Sequence, residues 1–244
     1  MNSETKHSRI YLLTMIVFLL LSSIGCKKDD KDEFVLGSGT VADIDGNVYP
    51  TVIIGDQVWM AENLKTTRYF DGTPIEYPGK NNIAWEKNLT GAYSWYNNNE
   101  ADYRDTYGAL YNWHAVSSGK LCPAGWRVPS DEEWTKVNMY LVGDLRAGLK
   151  ESSTEHLEEI FTVNLNGNGF SAMPGGVRFS TMPGGSRVTD NGYFYYIGKT
   201  GRWWSSTESS SRSAWYRSIY VNSNNVYRSH NYKETGFSVR CIRN

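Results

Sequence analysis

With 244 residues, 40% of them apolar, and a formal net charge of −1, the chain is long enough to bury one substantial core. The near-neutral balance excludes a whole-molecule bias toward nucleic acid or acidic membrane surfaces. Nine Trp, seventeen Tyr and eight Phe supply rings that can fill a core or stack on sugars, and composition does not choose between the two.

Lys6 and Arg9 precede an apolar run over residues 10–24, a signal-peptide length and short for a stable membrane span. The run ends at Ser23-Ile24-Gly25-Cys26, which resembles a bacterial lipoprotein processing site. Residues 1–25 would then be removed and the Cys26 thiol acylated. The alternatives are an ordinary secretory signal or an uncleaved anchor. Several acyl chains on one residue anchor stably, so the lipid bilayer is the first expected partner. The expected location is the outer membrane, periplasm-facing or at the cell surface. The charged run over residues 27–33 belongs to a linker spanning 26–40, either a solvated tether or, through Lys28-Asp29-Asp30, a likeness to a surface-export signal.

The folded domain is expected over 41–244. Asp45-Gly46 and Gly55-Asp56 each separate short extended runs and predict two successive hairpins. Asp43-x-Asp45-Gly46-Asn47 lacks the third ligand and the twelfth-position glutamate of a calcium loop, so no metal is expected there. Residues 61–105 read as irregular, with turn signals at Asp71-Gly72 and Pro78-Gly79. Tyr107, Leu110 and Trp113 recur at helical spacing and predict a first helix over 107–116. His114 on it reads as a partly buried side chain rather than a ligand, because no second ligand is spaced with it.

Residues 121–134, LCPAGWRVPSDEEW, combine a cysteine, a turn, a buried-looking Trp126 and a helix start. Ser130 and Glu133 form a capping box, with Pro129 and Trp134 placed for a hydrophobic staple. Trp134, Val137 and Leu141 continue the second helix toward a stop at Gly143. Residues 144–169 are polar, with Glu151, Glu155, Glu158 and Glu159 facing solvent.

Met173-Pro-Gly-Gly-Val-Arg178 recurs as Met182-Pro-Gly-Gly-Ser-Arg187, a local duplication within one long loop or hairpin. Strands are predicted over 193–197, 202–207 and 215–221, with a turn at 222–225 and a return over 226–230. In the last strand Phe237, Val239 and Cys241 share one face, with Ser238 and Arg240 on the other. Cys241 therefore faces the core, and in an exported chain a Cys122–Cys241 disulfide is the default, with two reduced core thiols as the alternative. Closing so long a loop is worth roughly 4–5 kcal/mol in the chain-entropy view.

Charge is uneven: residues 26–170 hold 13 basic and 22 acidic side chains, residues 171–244 hold 10 and 3. An arginine-rich half could receive anionic glycans, or the two halves could complement each other inside one domain. Arginines spaced through strands rather than clustered favour the second account and argue against nucleic acid.

The segments DIDGNVYPTVIIGDQVWMAENLKTT, YGALYNWHAV, LCPAGWRVPSDEEW, GFSAMPGG, WWSSTES and GFSVRCIRN, in that order, resemble the Fibrobacter succinogenes major paralogous domain (FISUMP) family. The resemblance implies an α+β, C-type-lectin-like domain: two helices, a mixed twisted β-sheet and long loops, closed by terminal strands and the Cys122–Cys241 disulfide. The calcium loops of sugar-binding C-type lectins are absent; Pro174 and Pro183 are followed by glycines. Formylglycine-generating enzymes, of related fold, need free cysteines that the disulfide would claim here.

The expected function is a membrane-anchored binding module for polysaccharide or glycan, non-catalytic, calcium-independent and without cofactor. Ligands of this fold meet the long-loop face, here residues 170–215. Trp203 and Trp204 are the candidate platforms, with Arg202, Trp215, Tyr216 and Arg217 beside them; the competing account makes the tryptophans core. The alternatives are a polysaccharide-acting enzyme, for which no catalytic motif is present, and an adhesive or structural lipoprotein with a surface-protein partner.

Overall fold

Asp45-Gly46 turns the chain as expected. A computed structural model, which describes residues 39–139, 172–179, 193–220 and 226–244, pairs β1 (Thr40–Ala42) antiparallel with β2 (Val48–Ile54) across it. Gly46 takes the left-handed φ of 82° that such a turn needs. The acidic string serves this turn. Asp43 accepts the Asp45 and Asn47 amides at 2.9 and 3.0 Å and the Tyr49 hydroxyl at 2.6 Å. Asp45 accepts the Thr67 amide and the Arg68 Nε–H, each at 2.6 Å. The second hairpin brings β3 (Gln57–Met60) back with Ile54 opposite Gln57.

The chain's end then joins its beginning. β12 (Ile242–Arg243) lies between β3 and β6 (Trp126–Arg127), giving a five-stranded sheet in the order β1-β2-β3-β12-β6. All pairings between named strands are antiparallel. Among the described residues parallel pairing occurs only at single bridges, Glu76–Ala92 and Trp203–Ser238, so the expected mixed sheet is corrected to an antiparallel one.

The helices differ most from expectation. Four α-helical segments are described rather than two: α1 (Asn82–Glu86), α2 (Glu100–Tyr107), α3 (Trp113–Ser117) and α4, described over 131–139. The single helix expected over 107–116 is broken. Gly108 ends α2 at φ 71°, where a Cβ would lie 2.8 Å from both Asn63 Cβ and the Leu64 carbonyl. Leu110–Tyr111 then forms β5 against β4 (Tyr93–Ser94), and Asn112 starts α3 by accepting the Ala115 amide at 3.1 Å. Residues 61–105, expected to be irregular, hold α1, a 3-10 turn (Tyr96–Asn98) and most of α2. Asn81 and Asn99 cap α1 and α2, and α2 buries no side chain, so no apolar periodicity marked it.

α4 begins at the capping box. Ser130 Oγ accepts the Glu133 amide at 3.2 Å, and Glu133 accepts the Ser130 amide at 2.8 Å. Trp134 and Val137 are buried, whereas Trp126 is only half-buried. Beyond lie two hairpin units: β7 (Gly175–Phe179) with β8 (Tyr193–Ile197), and a three-stranded sheet, β9 (Thr200–Glu208), β10 (Ser213–Tyr220) and β11 (Val226–Tyr232), with β10 in the middle. The first MPGG copy thus enters β7. The second copy, the Gly143 stop, the glutamates of 151–159, the turn expected at 222–225, Cys26 and the linker as far as residue 38 lie outside the described residues, whereas Thr40, expected in the linker, opens β1.

Residues 237–241 are not a two-faced strand. All five are buried, because the peptide runs through the core, bridged to Tyr111 on one side and Trp203 on the other. This brings Cys241 to Cys122, and the two form a disulfide with a Cα separation of 5.9 Å across 119 positions of sequence. Phe237, Val239, Trp204, Tyr111 and Trp95 belong to one core cluster; Trp59, Trp134, Trp203 and Ile219 to a second. Burying each such side chain contributes about 1.5–3 kcal/mol.

Candidate functional site

Residues paired directly across strands point to the same side of a sheet. One face of the β9–β10–β11 sheet therefore carries the rows Trp204–Tyr216–Ser229 and Arg202–Ser218–Tyr227 and the pair Thr200–Tyr220. The other carries Trp203–Arg217–Arg228, Trp215–His230 and Gly201–Ile219–Val226. The six residues singled out from sequence are split between the faces: Arg202, Trp204 and Tyr216 on one, Trp203, Trp215 and Arg217 on the other.

The second face is occupied by the fold. Arg217 gives its Nη1 protons to the Asp131 carboxylate and its Nη2 protons to the Asp131 carbonyl and Thr135 Oγ1, both at 2.9 Å. Arg228 Nε reaches the other Asp131 carboxylate oxygen at 2.9 Å, and its guanidinium lies 3.4 Å from the Trp215 ring centre. Acid from the first half of the chain thus neutralises arginines of the second. Trp203 folds over Gly201, where an added Cβ would meet its ring at 2.1 Å. Its indole N–H donates to Asn63 Oδ1 at 2.8 Å, and Trp134 lies beside it at 6.2 Å. His230 meets Trp215 edge-on.

On the first face Trp204 is also lost as a platform. It lies 4.5 Å from Phe237, donates its indole N–H to the Tyr111 carbonyl at 2.9 Å and, like Trp203, is 0% exposed. Strand alternation should have freed one of the pair. It does not, because β9 is covered on both sides, by Trp134 on one and by Phe237 and Tyr111 on the other.

Arg202 sits differently. It is 8% exposed, with its guanidinium 4.9 Å from the Tyr196 ring and 5.9 Å from the Phe237 ring. Its Nε and Nη1 are enclosed without a hydrogen-bond partner. Leaving buried donors unmet costs about 1–3 kcal/mol, more for a charged group. The other buried arginines found acceptors. Arg178 donates to Ser94 Oγ at 2.8 Å, the Gly79 carbonyl at 2.9 Å and Asn98 Oδ1 at 3.2 Å, leaving only Nε unmet. Arg240 donates to Asn63 Oδ1. Burial pushes Arg178 down to about 10 and Arg240 to about 9, so both remain cations at neutral pH.

Tyrosines share the Arg202 face. Tyr216 is half-buried, 4.6 Å from Phe237. Tyr220 and Tyr227 are exposed and meet edge-on at 5.3 Å. Tyr196, 47% exposed, is held at φ 68° near the end of β8, a left-handed conformation that is an outlier for an aromatic residue. The Lys199 amide donates to its carbonyl at 3.0 Å and closes the β8–β9 turn. Tyr196, Tyr220 and Tyr227 were missed from sequence. The available signal was the run of rings over 193–196 and the two tyrosines bracketing the asparagine-rich stretch 222–225.

Elsewhere, His114 is half-buried with Nε2 enclosed and unmet, and burial lowers its pKa. Among the described residues no group of three or more His, Cys, Asp or Glu could hold a metal ion.

Residues 52–243 match the Fibrobacter succinogenes major domain. The chain belongs to that family. No curated protein matches it. The Fibrobacter succinogenes major domain here starts inside β2 and ends in β12, so it contains both disulfide cysteines, α4 and both faces of the β9–β11 sheet.

Proposed function

We propose that this chain is a lipid-anchored, extracytoplasmic binding module that takes polysaccharide or glycan, without catalysis and without calcium, on a C-type-lectin-like domain. The observation that carries the reading is that Tyr216, Tyr220 and Tyr227 share one sheet face with Arg202, whose guanidinium lies 4.9 Å from the Tyr196 ring of β8, with Tyr196, Tyr220 and Tyr227 at 47%, 41% and 43% exposure. Sugar rings present flat C–H faces that stack on phenol rings, while hydroxyl groups fix orientation. Tyrosine supplies such area at small entropic cost. Residues 10–26 support the address: an apolar run closed by Gly25-Cys26 offers the acylation site, and the charged linker would hold the domain off an outer-membrane surface.

A glycan array probed with the full chain tests the reading. At least one polysaccharide should bind, with about tenfold weaker binding in Tyr196→Ala and Tyr227→Ala. Tyr232→Ala, an exposed tyrosine paired with Ser213 on the opposite face, should bind as wild type. Silence across the array, or equal binding by all three variants, refutes it. Palmitate labelling that survives Cys26→Ser would refute the anchor.

A further inference from the structure

We infer that Arg202 is the receptor for an anionic group, a carboxylate or a sulfate, carried by the ligand. The inference rests on the glycan-binding reading and names the chemical class of the glycan. A guanidinium is charged at any physiological pH and carries donors on every nitrogen. In Arg202 two of those nitrogens are enclosed without acceptors. Its nearest neighbours, Tyr196 and Phe237, offer ring faces. Ring faces attract the cation but do not replace acceptors in the guanidinium plane. Among the described residues sharing its sheet face the one acid is Glu208, at the far end of β9 opposite Ala214, and it is taken by Lys233 Nζ at 2.7 Å rather than by Arg202.

The opposite face of the same sheet shows what a paired arginine looks like in this molecule: Arg217 holds a carboxylate, a carbonyl and a hydroxyl. Arg178 shows how a buried arginine without an acid is met, by four neutral oxygens. Arg202 has neither arrangement. What it has is an exposed ring over it, set in a backbone conformation that tyrosine rarely adopts. Strain of this kind persists where the surroundings impose it and clusters at ligand sites. A carboxylate or sulfate that displaces the exposed Tyr196 ring from the guanidinium would find charge-assisted donors already desolvated beside rings that take the sugar.

The test is a titration of the detergent-solubilised full chain, labelled with 15N-arginine. The Arg202 Nε–H signal is assigned by its loss in Arg202→Lys. Glucuronate, sodium sulfate, glucose and sodium chloride are added in separate series. The expected result is a saturable shift with glucuronate or sulfate, the two arms telling which anion is read, and none with glucose or chloride. In parallel, polygalacturonate and a sulfated galactan should bind about tenfold more weakly to Arg202→Gln than to wild type, with Arg202→Lys between them. Neutral xylan should not distinguish the three.

An unmoved Nε signal, with acidic and neutral polysaccharides bound alike, overturns the anion assignment and leaves the glycan module standing. A shifted signal with no polysaccharide bound keeps the anion site and removes the glycan reading. Silence in both experiments removes both. Because the titration uses the wild-type chain, misfolding of a variant cannot decide the outcome.

Discussion

The two faces of the β9–β10–β11 sheet treat their arginines in opposite ways. On one, Arg217 and Arg228 converge on Asp131 at the start of α4, and Trp203 closes against Trp134. On the other, Arg202 lies between Tyr196 and Phe237 with nitrogens unmet. Strands, register and solvent are common to both, so the difference isolates what a partner contributes. Where the chain supplies its own acid, the face becomes structure. Where the described residues bring rings to the arginine and the one acid of the face, Glu208, is held by Lys233, the guanidinium is left for something outside the chain.

Both faces depend on the disulfide, which should give the largest effect. Cys241 follows directly on the buried peptide carrying Phe237, and Cys122 precedes the helix carrying Asp131. Opening it, by reductant or by Cys122→Ala with Cys241→Ala, should lower unfolding free energy by about 4–5 kcal/mol. A urea midpoint indifferent to reductant would show that neither face needs the tie. The next largest effect comes from breaking the paired face. Asp131→Ala leaves Arg217 buried beside Arg228 with no carboxylate between them, at a cost of about 3–5 kcal/mol. The contrasting change is Arg202→Met, which removes an unmet cation and leaves apolar volume between two rings. It should raise stability by about 1 kcal/mol in the same denaturation series. If both variants lose stability alike, Arg202 is a structural arginine and the contrast between the faces is false.

How much of this was legible follows from where the information sat. The hairpins at Asp45-Gly46 and Gly55-Asp56, the capping box of Ser130 and Glu133, and the Cys122–Cys241 pair each depend on residues close in sequence or on the only two cysteines left. The two turns and the reciprocal bonds of the cap lie where they were expected, and the disulfide is the first of the two alternatives for the cysteines; the strand registers had to come from the structure. The helix over 107–116 was misread because Leu110 and Tyr111 are buried on both sides in a two-residue strand, which imitates helical periodicity. Asn63, which joins Trp203, Arg240 and the Tyr107 carbonyl, gives no local signal, since its partners lie far along the chain. Which of the named residues share a face was only partly legible. Arg202 and Tyr216 were named from the right strands, but Trp203 and Trp204 drew attention by size, and large rings in a central position are what cores recruit. Tyr196 belongs to the site through a backbone conformation that no residue pattern announces.

Smaller effects probe the helix that makes the paired face. Ser130→Ala removes the acceptor of the Glu133 amide at the N-terminus of α4, one residue before Asp131. The expected loss is about 1 kcal/mol, measured by urea unfolding. The same substitution should leave glycan binding unchanged, since the first turn of α4 lies on the other face from Tyr196 and Tyr227. A parallel loss of binding would mean that the faces are mechanically coupled.

The smallest effect is one of pH. Burial raises the Glu133 carboxyl, but bonds from Arg127 and from the Ser130 amide outweigh it and hold the group below its ordinary value of 4.5. A carboxyl depressed in the folded state contributes stability that is present above the unfolded value and disappears as pH falls through the folded one. Arg127 is exposed, so solvent and salt screen the pair, and the contribution is about 0.5–1 kcal/mol. Wild type should therefore exceed Glu133→Gln in stability at pH 6 and converge on it as pH falls below 4.5. Arg202, which meets no titrating acid among the described residues, should show no such convergence when Arg202→Met is compared with wild type over the same interval. A difference that did close with acid would place a carboxylate near Arg202 and supply from within the chain the partner assigned here to a ligand.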